Sequence, residues 1–195
     1  MKRPAVFIDR DGTINEQMGY INHISRFVVL PGTAEALRLL NETGFLAIIV
    51  TNQSGVARGY FPIELVDEVH NHLRNMLEKE DVIIDDILFC PHYPKGKVEE
   101  HDLDCNCRKP RPGLIEKACR KFDIDMARSY VIGDRVSDIE LAETCHLKGV
   151  LVKTGYGKGD LEYVLPHSRV KPFHVAKDLL AAVRWLVEDD TGGKN

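Results

Sequence analysis

The chain has 195 residues, 44% of them hydrophobic, which suits one domain with a sizeable core. Its formal charge of −4 excludes a broad nucleic-acid-binding face, and no apolar run approaches the ~20 residues of a membrane span. Met1-Lys2-Arg3-Pro4 runs straight into apolar sequence without room for a signal peptide, and five cysteines, three of them between positions 90 and 107, suit reduced thiols rather than a disulfide framework; both features point to the cytoplasm.

In chain order, residues 4–8 read as a buried parallel strand, an apolar run bounded by turn residues. Pro31-Gly32 opens a helix carrying Ala36, Leu37, Leu39 and Leu40, with Gly44 at its C-terminal cap. Residues 45–50 form a second strand, 62–79 a helix and 87–89 a third short strand. Pro112 opens a helix to about residue 122, and 130–132 is a fourth strand. Ser137-Asp138-Ile139-Glu140 has the form of a capping box that starts the next helix. Residues 150–152 are a fifth strand, and 174–187 an amphipathic closing helix with Leu179, Leu180, Val183, Leu186 and Val187 on its apolar face. Residues 189–195 read as a frayed tail. The alternation predicts an α/β fold, a doubly wound three-layer sandwich on a parallel sheet, as a single domain over residues 1–188.

Chemistry collects at the strand ends. The first strand runs into Asp9-Arg10-Asp11-Gly12-Thr13, and carboxylates at i and i+2 of an extended chain point the same way. Such a pair repels unless a cation intervenes, and a hard divalent ion, Mg²⁺, is the natural tenant. The second strand leads into Thr51-Asn52-Gln53-Ser54-Gly55, a hydroxyl and amides that suit a phosphate but also an ordinary polar turn. Arg108-Lys109-Pro110-Arg111 places three cations within four residues ahead of a helix, suited to a phosphate or to a solvated loop. The fourth strand leads into Gly133-Asp134-Arg135. Asp134 completes a Mg²⁺ site with Asp9 and Asp11, while Asp138 either joins that site or only charges a helix N-terminus.

Together these groups form a phosphoryl-transfer set. Asp9 is the nucleophile, Asp11 the acid/base, and Thr51 and Lys109 hold the phosphoryl oxygens. Cys90, His92, Cys105 and Cys107 make a complete Cys₃His set for structural Zn²⁺, two residues ahead of Lys109. The histidines at 23, 70, 72, 101, 146, 167 and 174 have no ligand-like spacing.

Asp9-x-Asp11-Gly12-Thr13, Thr51, Lys109 and Gly133-Asp134-x-x-x-Asp138 resemble the four motifs of the haloacid dehalogenase (HAD) superfamily. Over roughly residues 4–188 the chain is similar to its D-glycero-D-manno-heptose 1,7-bisphosphate 7-phosphatases, notably at Asp9-Arg10-Asp11-Gly12-Thr13-Ile14-Asn15, Gly19-Tyr20, residues 51–59, Cys90-Pro91-His92 and Cys105-Asn106-Cys107-Arg108-Lys109-Pro110. The resemblance implies magnesium held by Asp9, the Asp11 backbone carbonyl and Asp134, and a relative's zinc loop at residues 90–107. It implies substrate contacts at Gln17, Met18, Gly19, Tyr20, Asn52, Gln53, Ser54, Arg108 and Arg135, the last standing where lysine is usual, while Arg58 and Arg108 are candidates for holding the second phosphate. No segment is left for a cap domain. The implied activity gives heptose 1-phosphate, a precursor for ADP- or GDP-heptose, and the implied partner is a small phosphorylated sugar acted on by a monomer. Histidinol-phosphate phosphatase, a related activity, is the alternative. A phospho-receiver domain is a rival from another class, although its phosphorylated Asp usually ends the third strand rather than the first. A zinc-stapled nucleic-acid-binding module is opposed by the acidic pI of about 6.1.

Overall fold

A computed structural model describes residues 2–192. Its framework is one six-stranded sheet, parallel throughout, of β1 (Ala5–Ile8), β2 (Leu46–Asn52), β3 (Asp86–Cys90), β4 (Tyr130–Gly133), β5 (Lys148–Val152) and β6 (His174–Ala176). The spatial order is β3-β2-β1-β4-β5-β6, so the strand order reverses direction between β1 and β4. Open α/β sheets hold their ligands outside the carboxyl ends of the strands at such a switch point.

The sheet explains the apolar runs. In β1, Val6 and Ile8 enter one core cluster and Ala5 and Phe7 the other, and β2 divides Ala47 and Ile49 from Leu46, Ile48 and Val50 in the same way. A strand buried on both faces has no polar positions to alternate with. On one face lie α1 (Thr33–Glu42), α2 (Ile63–Glu78) and α6 (Leu179–Gly192), through Leu37 and Leu40, Val69 and Leu73, and Leu179 and Val183. On the other lie α3 (Gly113–Lys121) and α4 (Val136–Thr144), through Leu114, Ile115, Ala118, Leu141 and Ala142. Truncating one of the fully buried isoleucines to alanine costs about 2–5 kcal/mol. A short helix, α5 (Gly157–Gly159), continues as a π turn (Asp160–Val164) and a 3₁₀ turn (Leu165–His167). No helix among the described residues is long and apolar enough to cross a membrane.

Two expected boundaries are corrected. Residues 174–176 are not the start of the closing helix but β6, hydrogen-bonded to β5 with Val150 opposite His174. The helix begins after Asp178, whose Oδ1 accepts from Ala181 N at 2.8 Å. The fourth helix is not opened by Ser137. The chain is still extended at Arg135, and Asp138 reaches back to accept from Arg135 N at 3.1 Å. The expected frayed tail is helical as far as Gly192, and residues 193–195 lie outside the described residues.

Candidate active site

β1 and β4 are neighbours in register, Ile8 opposite Ile132, and Asp9 N donates to Ile132 O at 2.8 Å. Asp9 and Asp134, each just past these strands' paired residues, are thereby brought together with Asp138 from the first turn of α4. Ligand oxygens of the three carboxylates lie within 4.8 Å of one another, and all three residues are buried. Lys109 reaches the cluster from the loop before α3. Its Nζ lies 2.6 Å from Asp9 Oδ1, 2.7 Å from Asp138 Oδ1 and 2.8 Å from Val50 O.

Electrostatics follow from burial. Desolvation, the Asp9 charge and the Asp138 charge push Asp134 up to about 8. Desolvation raises Asp9 against the opposing pull of Lys109, to about 6. Burial disfavours the Lys109 charge, but Asp138 and Asp9 hold its pKa above the ordinary lysine value. Three buried carboxylates against one ammonium leave a net negative site. Asp134 Oδ1 is buried without a hydrogen-bond partner, while Oδ2 accepts from Tyr156 N at 2.7 Å. An all-oxygen, electron-rich set with an unpartnered acceptor fits a hard divalent cation.

The two aspartates of the first motif do not share a cation through their carboxylates, contrary to the geometric expectation. The Asp11 carboxylate is turned away and gripped: Arg10 Nη2 donates to both oxygens at 2.9 and 2.8 Å, Asn15 Nδ2 to Oδ1 at 3.0 Å and Gln53 Nε2 to Oδ2 at 2.8 Å. Burial raises its pKa, but the Arg10 charge and these hydrogen bonds outweigh that and hold it below the usual carboxylate value. β1 ends at Ile8 and the chain bends at Arg10, between the two aspartates, which turns their carboxylates apart. The candidate metal cluster therefore contains Asp138, not the Asp11 carboxylate.

Above the cluster opens a polar pocket of about 370 Å³, lined by Asp9, Asp11, Gln17, Gly19, Tyr20, Thr51, Asn52, Gln53, Ser54, Arg108, Lys109 and Arg135 among others. Several amides in it are spent on the protein itself. Asn52 clamps the Lys109 backbone, accepting from its N at 3.0 Å and donating to its O at 3.2 Å. Gln53 Nε2 also donates to Thr51 Oγ1 at 2.9 Å, and Gln17 Oε1 accepts from Gly19 N at 3.0 Å. Two expected contact residues lie elsewhere. Met18 packs against the core and lines a neighbouring hollow, and the Arg58 guanidinium stacks 3.7 Å over the Tyr93 ring. Arg111 points outward to Asp104 at 2.6 Å, so only two of the three loop cations face the pocket.

Sequence reasoning left Asp138 open and passed over Arg10, Ser137, Tyr156 and Asp160. The i, i+4 spacing of Asp134 and Asp138 across a helix start was a usable signal. Tyr156 and Asp160 gave none: Asp160 accepts from Val136 N at 2.7 Å and lies 3.2 Å from Arg135 Nε, and Arg135 stacks 4.5 Å over Tyr156.

Cys90, His92, Cys105 and Cys107 converge beside the pocket. Cys107 Sγ lies 3.0 Å from Cys90 Sγ, 3.2 Å from Cys105 Sγ and 3.3 Å from His92 Nδ1. Ligands of tetrahedral zinc at 2.3 Å stand about 3.8 Å apart, so the set fits zinc after a small expansion. Arg108 Nη1 donates to His92 O at 3.4 Å, tying the cluster to the pocket rim.

A relative from Thermosynechococcus vestitus named D-glycero-D-manno-heptose-1,7-bisphosphate 7-phosphatase is 38% identical over 190 residues, covering 95% of this chain and 96% of its own length. The chain belongs to this phosphatase family. A family profile described as HAD-hydrolase-like matches residues 106–182. The D-glycero-beta-D-manno-heptose-1,7-bisphosphate 7-phosphatase of Escherichia coli K12 is 43% identical over 153 residues, 78% of this chain and 80% of that one. The crystal structure of a D,D-heptose 1,7-bisphosphate phosphatase from B. bronchiseptica, complexed with magnesium and phosphate, matches with a TM-score of 0.82 and 29% identity over 95% of this chain and 99% of that chain. Members of the heptose-bisphosphate phosphatase family thus share this sheet. A phospho-receiver reading loses ground, because receivers use the 2-1-3-4-5 strand order whereas the acidic pair here ends β1 of a 3-2-1-4-5-6 sheet.

Proposed function

We propose that the protein is a Mg²⁺-dependent phosphatase removing the 7-phosphate of a D-glycero-D-manno-heptose 1,7-bisphosphate through a phospho-Asp9 intermediate. The observation that carries this reading is the Lys109 ammonium 2.6 Å from Asp9 Oδ1 on the floor of a polar pocket at the β1/β4 switch point. Asp9, Asp134, Asp138 and the Asp11 carbonyl would hold magnesium, which supplies charge neutralisation for a carboxylate meeting a phosphate dianion. An Asp9 oxygen attacks phosphorus and the ester P–O bond breaks; Asp11, ionised while Arg10 holds it, takes up a proton from solvent once free of that guanidinium and gives it to the leaving sugar oxygen. Asp11 then accepts a proton from the water that attacks the phospho-aspartate, the Asp9–phosphorus bond breaks, and phosphate leaves. Lys109 and Thr51 hold the non-bridging oxygens as charge shifts among them. Asp11 must leave its Arg10 grip to reach the leaving oxygen.

Arg108 and Arg135 on the rim suit the second phosphate, and the compact polar substrate suits a site built from loops without a separate cap. The Cys₃His loop holds structural zinc and so fixes the approach of Lys109. Its thiol ligands fit a reducing, cytoplasmic setting, and the enzyme acts as a monomer.

The test compares kcat/KM for both anomers of the heptose 1,7-bisphosphate and for histidinol phosphate, with Asp9→Asn as the blank. A large Mg²⁺-dependent preference for one heptose anomer, abolished in the blank, is the expected result. Preference for histidinol phosphate overturns the substrate and keeps the chemistry.

A further inference from the structure

We propose that His70, carried by α2, is a positioning residue for Asp11, acting through Arg10. This rests on Asp11 being the acid/base. Arg10 Nη1 lies 3.1 Å from His70 Nε2, while Nη2 bridges both Asp11 oxygens. A guanidinium has no lone pair to offer, so the imidazole nitrogen is the acceptor. His70 is therefore neutral, with its proton on Nδ1. Arg10 and His70 are 2% and 6% exposed, so water does not compete for these contacts.

Few other partners hold the guanidinium. Its Nε has no hydrogen-bond acceptor, and the Phe27 ring, 6.0 Å away, offers only a face. His70 is itself held against Phe89, ring centroids 5.4 Å apart. The planar fork is thus pinned at one prong by His70 and presents the other to Asp11. Without the acceptor, Nη1 becomes a buried donor in search of another carbonyl, a penalty that turns the fork and with it the carboxylate. Asn15 and Gln53 still hold Asp11, so the loss is partial. The His70–Arg10 pair sets the position from which Asp11 swings to the leaving oxygen, linking α2 to proton transfer without touching substrate.

The test separates proton transfer from everything else through the leaving group. The ratio kcat/KM reports the steps through release of the alcohol. A sugar alkoxide needs a proton to leave, whereas the p-nitrophenolate of p-nitrophenyl phosphate needs little help. In His70→Leu, kcat/KM should fall about tenfold for the sugar bisphosphate and less than twofold for p-nitrophenyl phosphate. His70→Gln, which keeps an acceptor, should recover most of the loss. Equal losses on both esters, or no loss, overturn the inference. Should His70→Leu fail to fold by circular dichroism, Arg10→Lys decides by the same comparison, since an ammonium cannot span His70 and both Asp11 oxygens. Asp11→Asn is the control. If it shows no leaving-group selectivity, the acid/base reading fails and this inference with it. Selectivity in Asp11→Asn but not in the His70 and Arg10 variants sinks the inference alone.

Discussion

Gly155 shows how closely single residues govern this site. It adopts φ +53°, and a Cβ there would overlap the Asp134 carboxylate and come within 2.6 Å of the Gly12 Cα. Two glycines from separate loops thus close on one carboxylate, which also accepts from the Tyr156 amide. Gly155→Ala should displace Asp134, raise the Mg²⁺ concentration for half-maximal activity, and lower kcat/KM by about 10²-fold, a misplacement effect of familiar size. An unchanged magnesium dependence would show that the loop has room to yield. At this scale the sequence was legible where chemistry and strand ends coincide, as at Asp9, Asp134 and Lys109. It was not legible where a side chain's direction depends on a tight turn. The i, i+2 rule for Asp9 and Asp11 assumes an extended chain, and the chain leaves β1 at Ile8 and bends at Arg10 instead.

At the scale of elements, the loop between β3 and α3 carries Lys109 across a long irregular path, and the Cys₃His cluster is what shortens that path's freedom. Zinc held there as proposed would store folding energy in the ligand set. Cys105→Ser should therefore lose zinc by metal analysis, lower the melting temperature by roughly 5–10 °C, and reduce kcat through Lys109. The intact protein dialysed against EDTA and resupplied with Mg²⁺ alone should regain activity; a requirement for added zinc would show that the loop is labile. The central strands and their helices could be read from apolar runs and caps. β6 could not, because Val175 and Ala176 also fit the helical spacing of Leu179, Leu180 and Val183 downstream. The Asp178 cap was the signal that separates the two.

For the whole molecule, the buried acids tie stability to pH. Asp134 titrates near 8 and Asp9 near 6 when folded, against the ordinary 3.8 when unfolded. The cation-free folded protein therefore binds more protons than the unfolded chain from about pH 4 to about pH 8, and its stability falls as pH rises across that window, by up to about 1.4 kcal/mol per pH unit for each such proton. Magnesium at the proposed site would displace those protons, so the rise in melting temperature on adding Mg²⁺ should be larger at pH 8 than at pH 6. A shift independent of pH, measured by calorimetry, would place the ion elsewhere.

The register of β1 against β4 has one more consequence. Neighbouring strands stand about 4.8 Å apart, a little more than the roughly 4.2 Å spanned by two magnesium–oxygen bonds, so carboxylates leaving adjacent strand ends stand near enough to share one ion. The gauge of the ion site is thus borrowed from the backbone ladder, a dimension every parallel sheet shares and no core substitution readily alters. Tyr20, Arg108, Arg135 and Tyr156 stand on loops outside that ladder. The molecule can exchange what it recognises while its jaw keeps the same width.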